Sequence, residues 1–328
     1  MRILVTGGTG FVGSHTVRAI LDAGHEVRLL ARDASRVGRA LDPLGVGEVA
    51  TAIGDVTDAA AVKSALAGCD AVFHCASVYS HDSRRGKEIA ATNLAGAKAV
   101  LGQAVEMGLD PIVHVSSIVS LLPARGRLLR EDSPVGAGGP SYSVSKQEQE
   151  RYARSLQETG APVVITYPGG VWGPNDPYDG ESTLYARNFT RGLTPFLPSG
   201  GLPVVDVRDL ATAQARVFEA GKGPRRYMLG GQYVRIRELA GMVQGEAGVR
   251  RPRVPVPAAA AHFSAVAAGA IQRIAPFRLP IDPGSTWVIR CNATADNSLA
   301  EQELGASFRP VAETIRDQVA WQKAAGRL

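Results

Sequence analysis

Cysteine is scarce in this chain. Of 328 residues only Cys69, Cys75 and Cys291 are cysteine, none stands in a CxxC spacing, and an odd number cannot all pair. A fully paired disulfide framework and CxxC chemistry are thereby excluded, free structural thiols are expected, and no metal site is expected. Long apolar runs are missing too. The longest, Pro257–Ala275, is mostly Ala and Gly and is broken by His262, Ser264, Gln272 and Arg273, so it is read as a helix and not as a membrane span. The chain opens directly on "MRILVTGG" without a signal-type apolar region, and the expected setting is a reducing cytoplasm. No internal repeat or low-complexity tract is present. Basic residues come only in small clusters, Arg225-Arg226, Arg235 with Arg237, and Arg250-Arg251-Arg253, with no interleaved aromatics. The net charge of +5 is therefore read as a solvated basic surface that attracts anionic ligands, not as a nucleic-acid face. At 45% hydrophobic and 20% charged residues the chain is too apolar for disorder.

Short apolar runs alternate with helical stretches instead. "RILVTG" precedes "FVGSHTVRAILDAG", "HEVRLLAR" is followed by a loop and "EVATAIGD", and "AAAVKSALAG" leads to "CDAVFHCAS". A long helix is predicted near Lys87–Met107, then the strand "PIVHVSS", a charged helix "YSVSKQEQERYARSLQETG" ending at Gly160, and the strand "APVVITYPGG". Strands separated by helices cannot be joined by hairpins, so the pattern predicts the α/β class, a Rossmann-type doubly wound parallel sheet. After Gly173 the segments "PNDPYDGEST" and "GLTPFLPSGGLPVV" carry Pro and Gly at loop-like intervals, before "DVRDLATAQARVFEAG" returns to a helix. The expected organisation is a dinucleotide-binding core over residues 1–170, rejoined by 203–230, with 171–202 and 231–328 mainly forming a smaller C-terminal substrate-binding cap.

Between the first strand and the first helix, Gly8, Gly10 and Gly13 spell GxGxxG. In that context glycines let the backbone approach a pyrophosphate held by the helix N-terminus. The same segment reads Gly7-x-x-Gly10-x-x-Gly13. With "GDVTD" (Gly54–Asp58), "HCAS" (His74–Ser77), "TNLAGA", "VSS", "YSVSK", "YPGGVWGP", "DVRDLA" and the C-terminal "LGASFRPVAETIRDQVAW", the chain resembles the extended branch of the short-chain dehydrogenase/reductase superfamily over nearly its whole length. The resemblance implies that Gly7, Thr9, Gly10, Phe11, Val12 and Gly13 hold the cofactor and that Asp55 and Val56 hold its adenine. It further implies that Ala76 lines the cleft and that Pro168 to Val171 border the nicotinamide. Asp55 also fits a plain turn or helix cap, and His74 fits a packed core histidine.

Cofactor choice is set at the end of the second strand, where a carboxylate accepts hydrogen bonds from a ribose 2′-OH and repels a 2′-phosphate. In "LLARD" that place is held by Ala31, followed by Arg32, with Arg36 and Arg39 downstream. Guanidinium forks suit a phosphate dianion, so NADP(H) is expected in preference to NAD(H). Asp33 is the competing signal, since it serves either NAD or a helix N-cap before "ASR".

Tyr142 and Lys146 stand four apart, one helical turn, and so share a face. Spacing alone leaves both a surface pair and a proton-transfer pair open. Hydride transfer to a carbonyl builds negative charge on its oxygen and calls for a proton donor and a second hydrogen bond there. The resemblance assigns Tyr142 as general acid/base, Lys146 as the charge that lowers its pKa and a donor to the ribose, and Ser117 as the hydroxyl on the substrate oxygen, with Ser116 its competitor. Asn93 matches a helix asparagine that steadies the active-site backbone, and a homodimer through helices near Lys87–Met107 and Gln147–Gln157 is a family expectation.

The expected activity is NADP(H)-dependent reduction of a carbonyl, or oxidation of a secondary alcohol, on a small apolar substrate. "SSIVSLLPARG" lacks the "VYG" of sugar-nucleotide members, and Gly170 stands where they carry an asparagine. The "RD" after the second strand is instead similar to dihydroflavonol-reductase and 3β-hydroxysteroid-dehydrogenase-like members. Phe189, Leu193, Phe196 and Leu197 are candidate pocket residues, with the Ala-rich segment around Phe263 closing over them. A nucleotide-sugar epimerase or dehydratase and a non-catalytic NADP(H)-sensing protein are the alternatives.

Overall fold

A computed structural model describes residues 1–78, 86–124, 128–271 and 283–328. Gln272 and Arg273 of the apolar segment lie outside them. The described strands run β1 (Arg2–Thr6), β2 (Glu26–Ala31), β3 (Ala50–Ile53), β4 (Ala71–His74), β5 (Ile112–Val115), β6 (Leu128–Leu129), β7 (Val163–Pro168), β8 (Gly170–Trp172), β9 (Phe196–Pro198), β10 (Gly201–Asp206), β11 (Arg225–Leu229), β12 (Gln232–Arg235), β13 (Val254–Val256) and β14 (Thr294–Ala295). The helices are α1 (Phe11–Asp22), α2 (Ser35–Leu41), α3 (Ala59–Leu66), α4 (Gly86–Glu106), α5 (Ser141–Glu158), α6 (Glu181–Arg191), α7 (Val207–Ala215), α8 (Ile236–Ala247), α9 (Ala258–Ile271), α10 (Pro283–Cys291), α11 (Ser298–Leu304) and α12 (Val311–Ala324).

Seven strands form one parallel sheet in the order β11-β7-β5-β4-β1-β2-β3. Its central strands are apolar on both faces because helices cover both. Val5, Phe73, Val113 and Val164 form one row, packed in a core that also holds Val17 and Ile20 of α1, Leu210 of α7 and Leu304 of α11. Leu4, Val72, Ile112 and Val163 form the next row, facing Val100 and Leu101 of α4, Leu66 of α3 and Ala153 of α5. This is a Rossmann-like α/β fold. Strand order reverses between β1 and β4, and the crevice outside their carboxyl ends is where such sheets bind ligands.

Within the stretch 203–230, β11 pairs with β7 and α7 packs on α1, whereas β10 joins β8 and β12 in a separate three-stranded sheet. That small sheet shares a core with α6, α8 and α12, built from Trp172, Phe189, Val204, Leu239, Val243 and Ile315. Among the described residues no helix is long and apolar enough to cross a membrane.

The helix α5 is seated differently from its neighbours. Beside Ala153, its buried face includes Ser143, Ser145, Lys146, Gln147, Gln149, Glu150 and Gln157. Hydrogen bonds therefore place it together with apolar packing. Gln147 donates to the carbonyls of Leu122 and Gly138, both at 2.8 Å, and Gln157 to those of Val163 (2.8 Å) and Arg225 (3.1 Å). The buried Glu150 carboxylate accepts from Arg154 Nε and from the Tyr167 hydroxyl, each at 2.6 Å. Partnered buried polar groups specify one register for the helix they hold, although Gln149 Oε1, Glu150 Oε2 and Gln157 Oε1 have no partner among the described residues.

Candidate active site

The turn from β1 into α1 is tight. Gly7 has φ +77°, and Gly10 N–H donates to the Gly7 carbonyl at 2.9 Å. A Cβ on Gly7 would stand 2.6 Å from Ala76 N, and one on Gly13 only 2.1 Å from the Gly7 carbonyl oxygen. The loops after β1 and β4 therefore touch at the switch point, and only hydrogen at these positions permits it. No acidic residue lies in the first turn of α1, which leaves the positive helix end suited to an anion.

From this turn a cleft of about 890 Å³ extends to the three-stranded sheet and α6. Gly7, Thr9, Gly10, Phe11, Val12, Gly13, Arg32, Asp55, Val56, Ala76, Pro168 and Val171 all line it, as do Ser117, Tyr142 and Lys146. The glycine cradle, the helix end and the arginines after β2 fit a dinucleotide. Asp33 lies outside the cleft lining and accepts from Ser35 N (2.9 Å) and Ser35 Oγ (2.7 Å), a local turn just before α2, whose N-cap is Ala34. Asp55 is similarly engaged by Thr57 N and Oγ1 at 2.9 and 2.7 Å, a turn role held together with its place in the wall.

Tyr142 opens α5 and is half-buried, whereas Lys146, one turn on, is only 4% exposed. Lys146 Nζ donates to the Val115 carbonyl at 3.0 Å, at the end of β5. Burial first, then the carboxylate of Glu181 on α6, push the phenol above its ordinary value. Burial also pushes Lys146 down, opposed by Cys75 and Glu150. The two side chains share the wall of one cleft, as their one-turn spacing predicts.

Both serines line the cleft; Ser116 is buried and donates to Ser120 Oγ at 3.1 Å, whereas Ser117 is half-buried and accepts from Val119 N at 3.4 Å. Asn93 of α4 accepts from Val78 N (2.7 Å), and donates to Val78 O (3.0 Å) and Ser145 Oγ (3.2 Å). It thus ties the strand loop after β4 to both helices beneath the site. His74 is a core residue, its Nδ1 bonded to Thr6 Oγ1 at 2.7 Å.

At the far end the cleft is walled by Trp172, Tyr185, Phe189, Leu197, Leu239 and Ile289. Of the expected pocket residues, Phe189, Phe196 and Leu197 line it, but Leu193 does not and is 52% exposed. Phe263 is 75% exposed and faces away, because α9 turns Ala260, Ala261 and Ser264 to the cleft. An Ala-rich helix has no strong apolar stripe to mark its inner side. Glu181 was not singled out in the sequence, since only the fold brings it across to Tyr142. Among the described residues no group of His, Cys, Asp or Glu side chains is arranged to hold a metal.

The NAD dependent epimerase/dehydratase family model matches residues 3–230. The chain belongs to this family. A putative dihydroflavonol 4-reductase of Synechocystis sp. is 30% identical over 77% of this chain and 74% of its own length. Sterol demethylase protein B of Methylococcus capsulatus is 27% identical over the full length of both. The crystal structure of the dTDP-glucose 4,6-dehydratase DesIV from Streptomyces venezuelae, with NAD and TYD bound, covers 99% of this chain and 97% of its own at a TM-score of 0.76 and 25% identity. This family member is accordingly an NAD(P)-dependent enzyme of the oxidoreductase, epimerase and dehydratase group.

Proposed function

We propose that this enzyme reduces the carbonyl of a small, largely apolar molecule, or oxidises the matching secondary alcohol, with NADP(H) preferred over NAD(H). The observation that carries the reading is one continuous cleft with the glycine turn and Arg32 at one end, Ser117, Tyr142 and Lys146 midway, and an aromatic and aliphatic wall beyond. A bound nicotinamide dinucleotide supplies the hydride. Tyr142 Oη gives its proton to the substrate oxygen, Ser117 Oγ donates a hydrogen bond to the same oxygen, and Lys146 provides positive charge beneath the phenol. Ser117 is favoured over Ser116, whose hydroxyl is turned to Ser120. Arg32 and Arg36 in the wall, with Asp33 turned to Ser35, support the choice of NADP(H). Free thiols at all three cysteines are in keeping with a reducing cytoplasm.

Tyr142→Phe is expected to bind NADPH as the wild type does while losing about 10²- to 10⁴-fold in turnover on a panel of aldehydes, flavonoid-like ketols and sterol ketones. Substantial residual turnover removes Tyr142 from the role. A second reading, conversion of a nucleotide sugar, draws on the likeness to the dTDP-glucose dehydratase. Gly170 and the apolar far wall count against it. UDP- and dTDP-sugars in the same panel decide between the two: their conversion without net cofactor consumption overturns the reductase reading.

A further inference from the structure

We propose that Tyr178, on the loop joining β8 to α6, completes the 2′-phosphate end of the cleft by holding two arginines of α2 in place, and so sets the selectivity for NADP(H). The inference rests on the NADP(H) reading above and deepens it. Arg36 Cζ lies 5.2 Å and Arg39 Cζ 4.8 Å from the centroid of the Tyr178 ring. Arg39 Nε also donates to the Pro177 carbonyl at 3.1 Å, so α2 and this loop are joined twice. Arg32, Arg36 and Tyr178 line the cleft, and Arg32, Arg36 and Arg39 make no salt bridge among the described residues.

A guanidinium held against an aromatic ring by cation–π attraction still has N–H donors with which to fork a phosphate. Holding it also removes side-chain freedom before the ligand arrives, which raises affinity without a new contact. For this the loop that carries the 37% exposed Tyr178 must itself be held, and it is. The buried Asp176 carboxylate accepts from Tyr178 N (3.1 Å), Gly180 N (2.6 Å) and Thr183 Oγ1 (2.9 Å). Arg327 donates to the Asp176 carbonyl and to Asp179 Oδ1, both at 2.8 Å, and Arg187 to Asp179 Oδ2 at 2.7 Å. The loop thus belongs mechanically to the cap side, while its ring serves the adenosine end of the cofactor. NADH, with a hydroxyl in place of the phosphate, gains nothing from the arrangement.

The test is a set of fluorescence and calorimetric titrations with NADPH, NADH, 2′,5′-ADP and 5′-ADP. Tyr178→Leu is expected to weaken NADPH and 2′,5′-ADP by about threefold to tenfold and to leave NADH and 5′-ADP within about twofold. Tyr178→Phe, which keeps the ring face, retains wild-type affinities, and Arg36→Met reproduces the selective loss without altering a residue of the loop. Equal weakening of NADPH and NADH in Tyr178→Leu, or an unchanged preference for NADPH, overturns this inference alone. A wild-type protein without preference for NADPH overturns the cofactor reading and this inference with it.

Discussion

Mild acid is expected to destabilise this protein through two histidines buried beneath the site. His74 of β4 and His114 of β5 are direct neighbours in the sheet, their rings stacked at 5.8 Å, and each is 1% exposed. His74 Nε2 and both ring nitrogens of His114 have no hydrogen-bond partner among the described residues. Burial holds His74 down to about 3 and His114 well below 6.5, and the Lys146 charge acts on both in the same direction. Because these pKa values are depressed on folding, the unfolded chain takes up protons first as pH falls through about 6.5, and the native state does not follow. Stability is therefore independent of the pair above that pH and lost below it. Each histidine removes about 1.4 kcal/mol per pH unit, so the two together remove about 4 kcal/mol by pH 5. That is a large part of an ordinary stability of about 5–15 kcal/mol. Urea unfolding of the wild type and of His114→Phe, followed from about pH 7.5 to about pH 5, isolates one member of the pair. The phenyl ring keeps the stacking and removes two unpartnered nitrogens, so the variant should lose about 1.4 kcal/mol less per unit below pH 6.5. Equal pH slopes in the two proteins refute the reasoning.

Two further substitutions probe the scaffold. Gly13→Ala places a methyl 2.1 Å from the Gly7 carbonyl, a clash with backbone that only opening of the turn relieves. Calorimetric titration should show NADPH affinity reduced by more than about tenfold, while the sheet remains folded by circular dichroism. Affinity within about twofold of wild type counts against the cradle. Arg154→Met strands the fully buried Glu150 carboxylate and should cost about 3–5 kcal/mol in urea unfolding, whereas Glu150→Gln combined with Arg154→Met recovers most of the loss. A cost under about 1 kcal/mol for the single variant would mean that the Glu150 cluster does not hold α5.

Much of this architecture was legible beforehand because it is written in local signals. The glycine spacing, the strand-helix alternation and the position of "YSVSK" each depend on neighbours within one turn or one loop, and β1, α1 and α5 lie where those signals put them. What could not be read is long-range. Glu181 reaches Tyr142 from a helix 39 positions away, and Tyr178 meets Arg36 and Arg39 from a loop far along the chain. Phe263 and Leu193 were misassigned for the same reason. An apolar residue on a weakly amphipathic helix or a short loop carries no mark of the side that the rest of the chain will cover.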